Sequence, residues 1–330
     1  MINVSLETHP DLYFDYLKGL EFLRNIKDED YSYPEQRTNF HVYTECRSSK
    51  ELLAIKSYLA TQNLEKTKLI VWSDYSIIDQ ENIQSFKDYV DFRVYEPKEL
   101  AKATPLEGVE SHMRTEEDHN HWMSSGIMRF LTLYKFGGIY YDMDMVLLRD
   151  FKPILGQDFA SQWGGDTDFA KETWDGTPDT CHGPCAAMLG AVKGGEYIEA
   201  CMQRLIRTPP TGGTCYDEHM LAQVYRTMIM SVASQYLICL KGKIETPFTV
   251  FPSTFFNTEW LISKVSKEGS LEADKSMFDQ KMTDPDGLFE GAFAWHWHNS
   301  SNKHKEIVKG SKFDLLEKST DEKLRELGIL

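Results

Sequence analysis

The chain has 330 residues, of which 41% are hydrophobic and 26% charged, the balance of a globular protein rather than a disordered or coiled-coil one. Lys and Arg number 36 against 51 for Asp and Glu, so the formal net charge is −15, which disfavours binding to nucleic acid or anionic lipid. The sequence has no apolar run of membrane-spanning length and no apolar leader, and its six cysteines are scattered. We therefore expect a cytoplasmic protein with free thiols and without stable membrane insertion.

The chain order of polar and apolar residues predicts one main domain with two flanking pieces. Residues 1–38 lack a clear period and predict a mainly helical N-terminal extension. Short runs of β-forming residues then alternate with helical stretches, which favours βαβ units and an α/β fold with a mainly parallel, Rossmann-like sheet between helices. The first strands are predicted at 39–43, 68–72 and 91–95. This domain is placed at residues 39–302, and residues 303–330 predict a polar C-terminal tail with a helix.

The stretch from Ser124 to Leu148 carries the most informative pattern. Its apolar residues first follow the 3.6-residue period of a helix, which Gly137 and Gly138 end, and a strand is predicted to begin at once. Because side chains alternate along a strand, Asp142 and Asp144 are expected on one side, at the strand's end. Two carboxylates so placed suit Mn²⁺ or Mg²⁺. Other Asp-x-Asp pairs in the chain lack a preceding apolar strand.

This helix, followed by Gly-Gly-Ile-Tyr and an Asp-x-Asp strand, resembles the glycosyltransferases with a sugar-binding DXD region. That group includes α-1,4-galactosyltransferase-like and α-1,6-mannosyltransferase-like enzymes and the glycosylating bacterial toxins. The resemblance implies a GT-A fold with helical additions on the acceptor side. It also implies a retaining, metal-dependent transfer of a sugar from a nucleotide diphosphate sugar, with a UDP-sugar favoured over a GDP-sugar. The acceptor would be a glycan, or a protein side chain as for the toxins.

The resemblance also implies roles for individual residues. Asp142 would contact the ribose and the metal shell, and Asp144 would bind the metal directly. Arg129 would face the donor sugar or its diphosphate. Ser125, on the same helix, and Tyr141, just before the motif, would lie beside the donor.

A late aromatic segment supplies further candidates. Alternation along its predicted strand puts His296 and His298 on one face. The segment resembles the late His-x-x-Asn region of the family, in which a His or Asn completes the metal shell, so both histidines are candidate metal ligands. Trp297, Lys303 and Lys305 are the nearby candidates for covering the donor and its diphosphate. The alternative is an aromatic core strand followed by a solvated loop.

Two further pairs are candidates for the nucleoside and the acceptor. Tyr43 and Thr44 end the first strand, where the nucleotide base would rest, although a plain strand end fits them nearly as well. Asp217 and Glu218 open a helix where the family places acceptor-side residues. Carboxylates in a first helical turn are also ordinary partners of the helix dipole, so a purely structural interpretation stays open.

Two other functions compete with this hypothesis. A strand followed by Asp142-Met-Asp144 also resembles the nucleophile motif of haloacid-dehalogenase-like phosphatases. The second acidic motif, near Asp166, follows too soon to be brought alongside by a crossover connection. The second alternative is a non-catalytic module that binds a nucleotide sugar or a carbohydrate. It is motivated by Gly126, which stands where the family usually has an aspartate that binds a hydroxyl of the donor sugar.

Overall fold

The computed structural model describes residues 1–5, 8–9, 11–108, 122–162, 184–207, 248–256, 277–279, 281, 289 and 291–330. The strands in these ranges are β1 (Thr38–Tyr43), β2 (Thr67–Ser73), β3 (Val90–Val94), β4 (Gly138–Tyr141), β5 (Met145–Leu147), β6 (Phe159–Gln162), β7 (Pro184–Ala191), β8 (Thr249–Phe251) and β9 (Ala294–His296). The α-helices are α1 (Asp11–Phe14), α2 (Tyr16–Arg24), α3 (Ser49–Thr61), α4 (Pro97–Ala101), α5 (Trp122–Phe136), α6 (Glu196–Arg207), α7 (Asn299–Asn302) and α8 (Lys312–Glu326).

The centre of the fold is a seven-stranded sheet with the strand order β3-β2-β1-β4-β7-β6-β8. Every neighbouring pair is parallel except the two pairs that include β7. Strands β1, β2 and β3 lie within two residues of the predicted runs, because those runs are rich in the β-branched and aromatic residues that strands favour. The predicted α/β fold with a mainly parallel sheet is therefore confirmed.

Helices cover both faces of this sheet, and alternation along the strands divides the core in two. Ile139 and Tyr141 of β4 belong to the hydrophobic cluster that contains the buried residues of α3. Tyr140, between them, belongs to the cluster formed with α5 and α6. A residue's position along β4 therefore decides which helix layer it meets.

A small second sheet lies beside the main one. Its strands β5 and β9 pair antiparallel, with Met145 opposite His296. Aromatic rings pack behind β9, where Trp295 and Trp297 both contact Phe278 and Phe313. Phe313 comes from α8, which also packs against α3. The C-terminal helix thus shares the core that supports the small sheet.

The N-terminal residues also pack onto the main core. Ile2, Val4 and Leu23 are buried, and the Tyr13 hydroxyl donates a hydrogen bond to the Val250 carbonyl at 2.8 Å. The residues predicted to form an extension are therefore joined to β8 and its neighbours by buried contacts.

Two further observations bear on the environment of the protein. None of the helices in the described ranges combines the length and the apolar character needed to cross a bilayer. Cys46, Cys185 and Cys201, the cysteines within those ranges, are buried.

His41 makes the stability of the fold depend on pH. This β1 residue is fully buried, accepts a hydrogen bond at Nδ1 from the indole N–H of Trp72 (3.3 Å) and bonds through Nε2 to the Gly137 carbonyl (3.1 Å). Burial lowers the pKa of His41 from 6.5 to about 4. The folded chain therefore keeps a neutral imidazole at pH values where the unfolded chain takes up a proton.

We expect the contribution of His41 to be complete above pH 6.5 and to be lost as the pH falls toward 4. The loss in the free energy of unfolding is up to about 3 kcal/mol. Urea unfolding of the wild type and of His41→Gln between pH 7.5 and about 4.5 measures it. The variant should be less stable at neutral pH but should lose less stability on acidification. Equal slopes in the two proteins would contradict the prediction.

Candidate active site

The Asp-x-Asp motif lies where the chain passes from the main sheet to the small one. The N–H of Asp142 donates to the Ala187 carbonyl on β7 (2.8 Å), which extends the strand ladder. The Met145 N–H then donates to the Asp142 carbonyl (3.0 Å) and closes a turn before β5. The prediction of one continuous strand through both aspartates was therefore wrong. Asp142 and Asp144 come together through this turn instead of through strand alternation.

Arg129 of α5 and Tyr140 of β4 hold one side of the Asp142 carboxylate. Its Oδ1 accepts a hydrogen bond from the Tyr140 hydroxyl at 2.9 Å and another from Nη2 of Arg129 at 3.2 Å. Arg129 is nearly buried, donates from Nη1 to the Ala186 carbonyl (2.6 Å) and places its guanidinium 4.8 Å from the centre of the Tyr140 ring. These contacts hold the Asp142 carboxylate and place one positive charge, that of Arg129, beside it.

Asp144 is held by groups from the other end of the chain. Its Oδ1 lies 3.2 Å from Nε2 of His296, and its Oδ2 accepts the Asn299 N–H at 2.7 Å. Burial acts to raise the pKa of Asp144, but the charge and hydrogen bond of His296, with the Asn299 N–H, outweigh burial and lower the pKa to about 2. Asp144 is therefore an anion at neutral pH despite being only 9% exposed.

The two predicted histidines are in contact with each other. The ring centres of His296 and His298 are 3.9 Å apart, and His298 has a left-handed backbone (φ 53°) just after β9. Burial, and then the nearby His296, lower the pKa of His298 to about 2. His298 is therefore neutral at neutral pH, as a metal-binding imidazole must be.

Three of the four predicted metal ligands form a close group. One ligand atom from each of Asp142, Asp144 and His296 lies within 4.8 Å of the other two. Within the described ranges no other set of three or more His, Cys, Asp or Glu side chains meets this spacing, and His298 stands beside the group instead of in it. Two carboxylates and an imidazole are ligands that a divalent cation of the Mn²⁺ type accepts.

A cavity of about 440 Å³ lies between the first turn of α3 and the residues that follow β9. Asn299, whose N–H binds Asp144, lies on its wall, and so do Lys303 and Lys305. The opposite wall is the first turn of α3, which Ser48 caps by accepting the Glu51 N–H. The remaining lining residues are Ser49, Lys50, Glu306 and Ile307. The two lysines predicted to cover the diphosphate thus line a cavity that also reaches Asn299, the residue whose N–H binds Asp144.

Tyr141 and Trp297 lie in the core. Tyr141 is fully buried on the α3 side, where its hydroxyl donates to the Ala54 carbonyl at 3.2 Å. Trp297 is also buried, and only its main-chain N–H meets the site, donating to the Asp144 carbonyl at 3.0 Å. The structure brings neither side chain to the Asp-His group.

Tyr140 is the residue that the sequence argument missed. It donates a hydrogen bond to Asp142 from the α5 side of β4, the side opposite Tyr141. The signal was present in the sequence, because residues two apart on a strand share a face and Tyr140 precedes Asp142 by two positions.

The other predicted residues lie at nearby strand and helix ends. Tyr43 is buried at the end of β1, with its ring centre 6.2 Å from that of Tyr95. The Thr44 hydroxyl donates to the Glu51 carboxylate (3.1 Å) in the turn before α3. The Ser125 carbonyl accepts a hydrogen bond from Nε of Arg129 at 3.4 Å.

Asp217 and Glu218 lie outside the described residues. Their assignment to the acceptor side stays a prediction.

Comparison with known proteins finds one family match for the region of the motif. Residues 48–160 match the sequence model described as the glycosyltransferase sugar-binding region containing the DXD motif. This span includes Arg129, Tyr140, Asp142 and Asp144, whereas His296 and both cavity lysines lie beyond it. No curated protein matches the chain.

Several solved glycosyltransferase structures are similar at low identity. PaToxG glycosyltransferase is 14% identical with a TM-score of 0.42, and the match covers 71% of this chain and 84% of that one. GlyE from Streptococcus pneumoniae TIGR4 is 8% identical with a TM-score of 0.49, over 89% of this chain and 64% of GlyE. The bifunctional glycosyltransferase WbbM is 14% identical with a TM-score of 0.37, over 52% of this chain and 35% of WbbM. The chain thus spans less than two thirds of GlyE and about a third of WbbM.

The family match covers the motif, and the motif directly follows β4 of the mainly parallel sheet. The part of the chain that holds the motif is therefore similar to the glycosyltransferase sugar-binding region that contains a DXD motif.

Proposed function

We propose that the enzyme transfers a sugar from a nucleotide diphosphate sugar, a UDP-sugar in preference to a GDP-sugar, to a hydroxyl group of a glycan. We further propose that the transfer requires Mn²⁺ or Mg²⁺ and retains the anomeric configuration. The observation that carries the metal dependence is the approach of Asp142, Asp144 and His296 to within 4.8 Å of one another. The preference for UDP and the retention rest on the resemblance of the motif region alone, and a protein side chain is the alternative acceptor.

The chemistry of the close group supports a divalent cation. Asp144 is ionised at neutral pH, and the Asp142 carboxylate is held by an arginine and a tyrosine hydroxyl. Carboxylate oxygens suit both Mg²⁺ and Mn²⁺, and the imidazole nitrogen of His296 favours the transition metal of the two. His298 is proposed as a further ligand. A bound divalent cation supplies charge stabilisation to the diphosphate as it leaves the sugar.

The other residues are proposed to bind and orient the donor. Arg129 places a fixed positive charge beside Asp142, and it holds this carboxylate in one orientation. Lys303 and Lys305 line the cavity and would pair with the diphosphate, which a chain of net charge −15 needs local cations to hold. Such fixed charges act on the leaving group without having to reorganise during the reaction.

The nucleoside and the acceptor are assigned to the remaining predicted residues. Tyr43 ends β1 and Thr44 follows it in the turn into α3, and both are proposed to lie beside the base. Ser125 is proposed to contact the donor from α5. Asp217 and Glu218 are proposed to act on the acceptor side.

Thermal shifts of the purified protein with UDP, GDP, CDP and their common sugars, with and without Mn²⁺, test this proposal. A ligand that binds only the folded state stabilises it by about 2.7 kcal/mol at a hundred times its Kd, so the melting temperature should rise by a few degrees. We expect the rise with UDP and UDP-sugars only when Mn²⁺ is present, and we expect slow hydrolysis of the UDP-sugar that binds.

Three other outcomes of these measurements would favour a different base or a different function. A shift with GDP or CDP alone would overturn the choice of base. Binding without hydrolysis or transfer would favour the non-catalytic module suggested by Gly126. Hydrolysis of simple phosphate esters without any nucleotide shift would favour the phosphatase.

A further inference from the structure

Lys50 is a buried lysine in the first turn of α3 whose ammonium group binds main-chain oxygens from the far end of the chain. Its Nζ donates to the carbonyls of Asn302 (3.0 Å), Lys303 (3.4 Å) and Lys305 (2.5 Å). The side chain is nearly enclosed, with the residue 8% exposed. One ammonium group thus uses its three donors on three carbonyls of a single short segment, residues 299–305.

The surroundings of the ammonium group strengthen these bonds. Nζ lies 4.6 Å from the centre of the Phe278 ring and 6.0 Å from that of Trp297, both within the range of cation–π attraction. A hydrogen bond to a charged donor is stronger than a neutral one, and more so where water is excluded. Lys50 therefore attaches the 299–305 segment firmly to the N-terminal end of α3.

The same segment meets the candidate active site at both of its ends. At its start, the Asn299 N–H donates to Oδ2 of Asp144 (2.7 Å). At its end, Lys303 and Lys305 line the cavity next to this contact. Between them, the Asn302 side-chain amide donates to the Trp297 carbonyl at 2.6 Å. Because the main chain of the segment is fixed, the Cα positions from which the Lys303 and Lys305 side chains extend are fixed as well.

We propose that Lys50 is a positioning residue for the donor: by binding the carbonyls of the 299–305 segment, it holds Lys303 and Lys305 at the cavity where they pair with the diphosphate. This inference rests on the proposed function of the site. Lys50 also lines the cavity, but the proposal gives it no direct contact with the donor, because its three N–H donors are used by the segment. If Lys50 only filled space between α3 and the aromatic rings, its removal would lower stability and leave donor binding as it is.

Lys56 provides a matched control on the same helix. Its Nζ lies 2.9 Å from the Asp321 carboxylate of α8, so it joins α3 to α8 and not to the 299–305 segment. Lys50→Met and Lys56→Met both remove one partly or fully enclosed ammonium group from α3. Two measurements separate them: amide hydrogen exchange of residues 299–305 without ligand, and the Kd for UDP in the presence of Mn²⁺.

We expect Lys50→Met to speed amide hydrogen exchange in the 299–305 segment. We also expect it to raise the Kd for UDP by about tenfold, which is the smaller of the usual effects of removing a group that acts through another residue. Lys56→Met should change neither, whatever its effect on the melting temperature. If both variants and the wild type have the same Kd for UDP, the role of Lys50 is overturned and the proposed function is not. A wild type that binds no nucleotide diphosphate would overturn the proposed function and this role with it.

Asn302→Ala tests the same point without touching α3. It removes the hydrogen bond to the Trp297 carbonyl and loosens the segment from its other attachment. We expect a rise in the Kd for UDP in the same direction as for Lys50→Met, and an unchanged Kd would overturn the proposal. This variant keeps the test decisive if Lys50→Met does not fold.

Discussion

Replacing Asp144 with asparagine is expected to lower Mn²⁺-dependent donor turnover by about a hundredfold or more, which corresponds to a few kcal/mol of lost charge stabilisation. Asparagine has the same size and can still accept the Asn299 N–H, so the fold should persist. It lacks the negative charge that pairs with His296 and that a cation requires. Turnover of the donor and Mn²⁺ binding by calorimetry measure the two effects, and both should fall together.

Asp150→Asn is the matched control for this variant. Asp150 follows β5 and accepts hydrogen bonds from the Tyr33 hydroxyl and the Lys152 N–H, away from the Asp-His group. It should keep both Mn²⁺ binding and turnover. Wild-type turnover in Asp144→Asn would refute the assignment of the motif to the metal, whereas unfolding of that variant alone would show that the charge is needed for the structure first.

Gly138→Ala is expected to prevent stable folding or to cost about 4 kcal/mol or more of unfolding free energy. Gly138 begins β4 with φ +103°, and a Cβ atom built there would lie 2.0 Å from the Asn39 carbonyl oxygen. Asn39 belongs to β1, which pairs with β4 in the middle of the sheet. The collision is with main-chain atoms of a central strand, so no side-chain rotation relieves it.

Gly108→Ala separates the collision from the backbone strain. Gly108 also has a positive φ (+85°), but no atom of the described residues lies within 4 Å of a Cβ built there. Its replacement should cost only about 1–2 kcal/mol, the penalty of a left-handed conformation. Thermal and urea unfolding followed by circular dichroism compares the two variants, and equal losses would contradict the importance of the close contact.

The two glycines after α5 illustrate what the sequence predicts and what it does not. Gly137 ends the helix with φ +64° and its N–H bonded to the Leu133 carbonyl, as the helix pattern predicted. The need for Gly138 arises from the close approach of β1, a contact between residues about a hundred positions apart. The sequence pattern predicts where a helix ends because a helix end is determined by interactions between residues close in the chain. The same pattern gives no information on how closely another strand approaches.

The same distinction applies to the active site. Asp142 and Asp144 were found from the motif and its apolar context, and His296 was found from alternation in an aromatic strand. The sequence analysis did not predict the turn that brings the aspartates together. The chain turns there because β5 pairs with β9 in the small sheet instead of continuing β4 in the main sheet. Tyr141 was selected by its position next to the motif, whereas the alternation of β4 turns it into the core and places Tyr140 beside Asp142.

The pairing of β5 with β9 also has a consequence for how the enzyme is made. The contact between Asp144 and Asn299 spans 155 residues, and the aromatic rings behind β9 are completed by Phe313 of α8. Contacts so distant along the chain form late, because a long loop must close before they contribute. During synthesis the motif leaves the ribosome long before its histidine and the residues that support it. A partly made chain therefore holds Asp144 without His296 and Asn299, and activity arises only when both ends of this contact have been joined.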